Sequence, residues 1–154
     1  MASYSTILVG TDGSESSFRA VERAAAIAGD AGATLLIVSA YTEMSDRERD
    51  RAASALGEEA YKVVGSHPAD DILREAADKA KQAGAKDVDT FCKPGDPVDV
   101  LVSAIDDRKV DLCVIGNRGL NSLAGRLLGS VPANISHRAA CDVLIVHTTS
   151  GRAR

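Results

Sequence analysis

The sequence predicts a three-layer α/β fold, with helices on both faces of a five-stranded parallel sheet, and three observations predict it. Four short runs are continuously apolar: Ile7-Leu8-Val9, Leu35-Leu36-Ile37-Val38, Leu112-Cys113-Val114-Ile115 and Val143-Leu144-Ile145-Val146. Continuous rather than alternating apolarity marks strands covered on both faces, the usual condition of a parallel sheet. Between the runs the apolar period changes to three and four, as in amphipathic helices. The 154 residues show neither an internal repeat nor a linker. Strands and helices therefore alternate through one domain, residues 1–149.

The first strand stops at Gly10 and opens into Gly10-Thr11-Asp12-Gly13-Ser14. Phe18, Val21, Ala25 and Ala28 then repeat at helical spacing, and Gly29 is expected to end that helix. After the second strand, the segment from Thr42 to Gly65 is rich in Asp, Glu and Arg around Met44 and Leu56. It reads as a polar helical excursion on the surface, with Asp46 to Arg51 as a solvated face. Helical spacing returns at Ile72-Leu73, Ala76-Ala77, Ala80 and Ala83, with Gly84 as its stop. Asp89 and Thr90 weaken the fifth strand, Val88 to Cys92, which is expected at a sheet edge. Asp96-Pro97 reads as N-cap and first helical residue for Val98, Leu101-Val102 and Ile105. Ser150 to Arg154 lacks apolar residues and reads as a loose tail.

Composition narrows the function. Hydrophobic residues make up 45% and charged residues 26% of the chain, the balance of a globular protein. The first residues carry no basic segment, and the apolar run after them is too short for a signal peptide or membrane span, so a cytoplasmic location without membrane partners is expected. A net charge of -4 argues against nucleic acid, and Tyr4, Phe18, Tyr41, Tyr61 and Phe91 are the whole aromatic complement available for stacking bases. Cys92, Cys113 and Cys141 are widely spaced and read as reduced core thiols. His67, His137 and His147 share no metal spacing, and no serine stands in a nucleophile elbow.

The most informative stretch is Gly116-Asn117-Arg118-Gly119, then nine residues, then Gly129-Ser130. Glycines after a strand let backbone N–H groups approach an anion, and a helix N-terminus adds unpaired donors, so the pattern suits phosphate. From Leu112 through Cys141 there is no Asp or Glu, whereas Arg118, Arg126 and Arg138 fall inside. A phosphate site excludes like charge, but an apolar strand plus a small-residue loop also lacks acids, and both readings stay open. Ser130 has two readings as well, phosphate ligand or plain N-cap before Val131-Pro132. Asp12 can accept hydrogen bonds from ribose hydroxyls or an adenine amino group, or hold a metal ion. Alternatively, Asp12 or Ser14 simply caps the helix that starts near Glu15. The Gly10 to Ser14 loop matches neither a Walker A loop, for want of a Gly-Lys pair, nor the three-glycine dinucleotide fingerprint.

With these residues in place, the chain resembles the universal stress protein family over nearly its whole length. Ile7 to Ser14 is similar to the family's first strand and Asp-containing loop. Gly116, Gly119, Gly129 and Ser130 match its ATP-binding pattern G-x2-G-x9-G-[S/T], and Val143 to Val146 matches its last strand. The resemblance implies strand order 3-2-1-4-5, which puts Thr11, Asp12 and Gly13 across one cleft from Gly116. It further implies Asp12 beside ribose and base, with Ala40 contacting adenine through its backbone and Ile115 packing near it. Gly116 and Gly119 would line sugar and phosphates, and Gly129, Ser130 and Val131 would bind the phosphate tail; Asn117, between the first two glycines, is a further nucleotide-binding candidate. Arg118 and Arg126 are added from charge and position alone. Pro132 stands where many relatives carry a small hydroxyl residue, and a proline offers no N–H. That leaves room for a ligand shorter than ATP, such as AMP or cyclic AMP.

The expected function is regulatory binding of ATP or another adenine nucleotide, with Mg2+ accompanying it. Hydrolysis is expected to be slow at most, since no evident base or Walker lysine is present. The alternative is an enzyme of a related α/β class that cleaves ATP or transfers AMP. Against it, Thr11-Asp12-Gly13-Ser14-Glu15-Ser16 lacks the double glycine such enzymes generally carry. A relative that had lost nucleotide binding would usually lack the glycines, which are kept here. The last strand is uniformly apolar yet falls at an edge in this topology. A homodimer through Val143 to Val146 is therefore expected.

Overall fold

Nine elements follow one another along the chain in a computed structural model that describes residues 3–41, 68–117 and 130–148. They are β1 (Thr6–Gly10), α1 (Glu15–Ala31), β2 (Thr34–Tyr41), α2 (Pro68–Gln82), β3 (Asp87–Pro94), α3 (Pro97–Asp107), β4 (Leu112–Gly116), α4 (Ser130–Arg138) and β5 (Asp142–Val146). The strands form one parallel sheet in the order β3-β2-β1-β4-β5, as expected, with β3 and β5 at its edges. The surface excursion from Thr42 to Gly65 and the tail from Ser150 to Arg154 lie outside the described residues.

Successive side chains of a strand point to opposite faces, so an unbroken apolar run feeds two cores at once. Ile7, Val9, Leu35, Ile37, Leu112 and Val114 pack under α1 and α2, against Phe18, Val21, Ala25, Ala28, Leu73 and Ala76. Leu8, Leu36, Val38, Cys113 and Ile115 pack on the other face against Val98, Leu101, Ala104 and Ile105 of α3 and Ile135 of α4. Each fully buried Leu or Ile contributes about 1.5–3 kcal/mol. Most of the fold's stability therefore lies in the three central strands.

The glycine stop of α1 is displaced from its expected place. The helix continues through Gly29 and ends at Gly32, which adopts φ 67° and donates its N–H to the Ala28 carbonyl. Gly29 answers to a different demand, because a Cβ there would lie 2.4 Å from the Gly84 carbonyl oxygen. Gly84 does follow the end of α2, at φ 118°. Asp96 caps α3 as expected, accepting from the Val98 and Asp99 amides at 2.9 and 3.2 Å.

At the N-terminal ends of the strands, the Asp111 carboxylate accepts the amides of Ser5 and Thr6 at 2.8 and 3.0 Å. The Tyr4 hydroxyl donates to Asp142 at 2.8 Å. These bonds tie the start of β1 to the starts of β4 and β5 and leave the opposite pole for the loops.

All three cysteines are free thiols, but only Cys113 is a core residue. Cys92, on the edge strand β3, and Cys141, just before the edge strand β5, are half-buried, which corrects the expectation of three buried thiols. Burial pushes the Cys113 thiol up to about 12, with Cys141 adding to the shift. No described helix is long and apolar enough to cross a membrane.

Candidate functional site

The sheet order reverses between β1 and β4, since the chain moves from β1 to β2 on one side and reaches β4 on the other. The loop after β1 leads to α1 on one face, and the segment after β4 leads to α4 on the opposite face. Loops that part in this way open a crevice beyond the carboxyl ends of the strands. Gly10 stands in register with Val38, and Gly116 with Val146.

The β1 side of the crevice is a closed hydrogen-bonded turn. Thr11 is buried; its amide donates to the Val38 carbonyl at 3.0 Å, and its hydroxyl lies 2.7 Å from that of Ser17. Ser17 gives its own proton to the Ser14 carbonyl at 2.9 Å, so Thr11 is the donor in that pair. Thr11 Oγ1 also accepts the Gly13 amide at 3.2 Å, and Asp12 Oδ1 accepts the Ser14 amide at 2.9 Å. Ser14 is the N-cap of α1, its side chain accepting the Ser17 amide at 3.1 Å. Of the two capping candidates, Ser14 caps the helix and Asp12 shapes the turn before it. Asp12 remains exposed at the tip. Gly13 has φ 86°, and a Cβ there would come within 2.9 Å of Ile72 Cδ1, so both backbone and space require glycine.

Beneath the crevice, Gly10, Ile115 and Ala40 share the α3-facing side of the sheet. A Cβ on Gly10 would lie 3.2 Å from both Ile115 and Leu101, so the floor is filled to contact. Ile115 is buried, whereas Ala40, near the end of β2, is half-buried.

On the β4 side, the Asn117 amide donates to the Val146 carbonyl at 2.9 Å and extends the β4–β5 ladder by one residue. Asn117 Oδ1 accepts both the amide and the hydroxyl of Thr148, each at 2.9 Å. The Asn117 groups that were candidates for nucleotide binding thus bond the segment after β5. Ser130 is the first residue of α4 rather than the position before it, and its carbonyl accepts from Asn134 at 2.8 Å. Val131 packs on the α3-facing core, and Pro132 sits in the first helical turn, where an N–H would have no intrahelical partner. Arg138 pairs with Asp99 at 2.8 Å on the surface, which removes one of the three arginines from the anion argument. Arg118, Gly119, Arg126 and Gly129 lie outside the described residues.

Three residues central to this arrangement escaped the sequence reading: Ser17, Thr148, and Ser16, whose hydroxyl bonds that of Thr148. The signal available was the serine run Ser14-Glu15-Ser16-Ser17, since hydroxyls crowded into a helix start commonly bond the backbone there. Thr148 gave no signal, being one polar residue after a strand. Among the described residues, no group of three or more His, Cys, Asp or Glu is arranged to hold a metal ion.

A family model described as the universal stress protein family matches residues 3–147. Universal stress protein Rv1636 of Mycobacterium tuberculosis is 56% identical over 149 residues, covering 97% of this chain and 100% of that protein. The solved structure of a universal stress protein in complex with cAMP superposes with a TM-score of 0.74 at 47% identity, covering 96% of this chain and 100% of the other. Universal stress protein UspA from Lactobacillus plantarum superposes with the same TM-score of 0.74 at 24% identity, over 96% of this chain and 100% of the other, a likeness of fold.

Proposed function

The chain belongs to the universal stress protein family, and we propose from that premise that it binds an adenine nucleotide at the switch point between β1 and β4 and acts as a stress-response regulator. The observation that carries this reading is its 47% identity, over 96% of its length, to a universal stress protein crystallised with cAMP. Cyclic AMP, AMP and ATP share the adenosine moiety that the floor at Gly10, Ala40 and Ile115 would face.

In this reading Asp12 accepts from ribose or adenine, and Mg2+, where the nucleotide brings it, meets the same carboxylate. Gly116, Gly119, Gly129, Ser130 and Val131 supply the phosphate side, with Arg118 and Arg126 adding positive charge. A shorter ligand suits Pro132, which withdraws one amide from the first turn of α4. Turnover is slow at most, because the β1 turn presents hydroxyls committed to one another rather than a base poised on water.

Two further expectations attach to this reading. The edge strand β5 exposes Leu144 at 37%, and such an edge favours pairing with a second copy in a homodimer. Three free thiols suit a reducing compartment, the cytoplasm.

Mass spectrometry of small molecules released from the purified chain, followed by calorimetric titration with cAMP, AMP and ATP, tests the assignment. An adenine nucleotide in the released fraction and saturable heat support it. No heat at millimolar ligand overturns it, and rapid pyrophosphate release from ATP would favour the enzyme alternative.

A further inference from the structure

We infer that Thr148 is a positioning residue for the nucleotide crevice, a buried strut that joins its two sides without touching the ligand. This rests on the adenine-site reading above. Thr148 is 2% exposed although it follows the last strand. Its amide and its hydroxyl both lie 2.9 Å from Asn117 Oδ1. A backbone amide can only donate, so the Asn117 carboxamide oxygen must face it, and that orientation is fixed by chemistry. The same oxygen takes the Thr148 hydroxyl proton, so Ser16, hydrogen-bonded to that hydroxyl, must be the donor to it. The chain of bonds runs one way, from Ser16 to Thr148 to Asn117.

Each end of that chain belongs to one side of the crevice. Ser16 lies in the first turn of α1, two residues after the N-cap Ser14 whose amide is held by Asp12. Asn117 is the first residue after β4, following Gly116 directly. Arg19 clamps the strut from α1, donating to the Thr148 carbonyl at 2.6 Å. A Cβ on Gly116 would lie 3.1 Å from the Thr148 methyl, so Thr148 also packs directly beneath the point where the chain leaves β4. Thr148 therefore sets both the direction of that departure and its distance from the start of α1. A valine would fill the same volume and keep the backbone bonds to Asn117 and Arg19, but it would lose the hydroxyl that links Ser16 to Asn117.

Calorimetric titration of the full chain with cAMP, and separately with ATP, tests this. Thr148→Val weakens both ligands by about tenfold, the scale of one side-chain hydrogen bond lost between the two sides, and Thr148→Ser restores most of the affinity. Tyr4→Phe removes a hydrogen bond at the far pole of the sheet and leaves affinity unchanged. If valine prevents folding, Ser16→Ala breaks the same chain at its donor and must weaken binding. Wild-type affinity in Thr148→Val, or in Ser16→Ala where valine does not fold, overturns the strut and leaves the adenine site standing. So does a Tyr4→Phe loss as large as that of Thr148→Val, since affinity would then merely follow stability. A wild-type chain that takes up neither ligand overturns both.

Discussion

Gly29 and Gly84 touch where the last turns of α1 pass the end of α2, so closely that a Cβ on the first would sit 2.4 Å from the carbonyl oxygen of the second. Two effects compete in Gly29→Ala. Alanine improves a helix interior by about 1 kcal/mol, but overpacking typically costs about 1–3 kcal/mol. Here the obstacle is backbone, which yields less readily than a flexible side chain, so the clash wins. Urea denaturation of Gly29→Ala should show a net loss of about 1 kcal/mol, up to about 2, with nucleotide affinity unchanged. An unchanged or raised midpoint would show that the helices part easily.

Asp12 serves the turn through one oxygen acceptor, to which the Ser14 amide donates at 2.9 Å. Asn keeps an acceptor there and removes the charge, so Asp12→Asn should melt near the wild type yet bind adenine nucleotides about tenfold more weakly, the range of a charge-assisted hydrogen bond. Equal affinity in calorimetry would confine Asp12 to the turn. Ser14→Ala, by contrast, should cost about 1 kcal/mol of stability as a lost N-cap.

Leu144 is the exposed large apolar residue of the edge strand, whereas Val143 and Ile145 help cover the core. Leu144→Lys therefore probes association with little damage to the protomer. Sedimentation should show a dimer in the wild type and a monomer in the variant, both with native circular dichroism. A variant that sediments as a dimer would place the interface elsewhere.

The Cys113 thiol is held up to about 12 by burial, against 9.0 for the free group. A pKa raised on folding contributes stability that is complete below the unfolded value and is lost as pH climbs toward the folded one. Burial, with Asp70 nearby, also raises Cys92, and burial raises Cys141, in the same direction. Melting temperature should accordingly hold through pH 8 and fall between about pH 9 and 12. Cys113→Ser should flatten that decline, and an identical slope would assign it to other groups. In the native protein, Ellman's reagent should leave Cys113 unmodified until the chain unfolds.

The order of strands and helices was legible because burial on two faces writes itself as unbroken apolarity, as at Leu35 to Val38 and Leu112 to Ile115. The Asp96 cap was legible too, being local to a few residues, and the α1 cap was narrowed to Asp12 or Ser14, of which Ser14 takes the place. Gly29 misled because a glycine needed for close approach looks the same in sequence as one needed for a positive φ. The bonding of Asn117 was hidden for a similar reason: its partner Thr148 is 31 residues away, and only the pairing of β4 with β5 brings the two together. Local rules reach as far as one turn, and the crevice is assembled across three separate segments.

Within the turn from Thr11 to Ser17, the hydroxyls of Thr11, Ser14 and Ser17 and the amides of Gly13 and Ser17 are matched with one another. One side of the proposed cleft is consequently held by its own bonds, so a nucleotide bound there would cost little ordering entropy on that side. In the proposed reading, choice among adenosine compounds of different phosphate length would then fall to the opposing side, which is the one given to the phosphates.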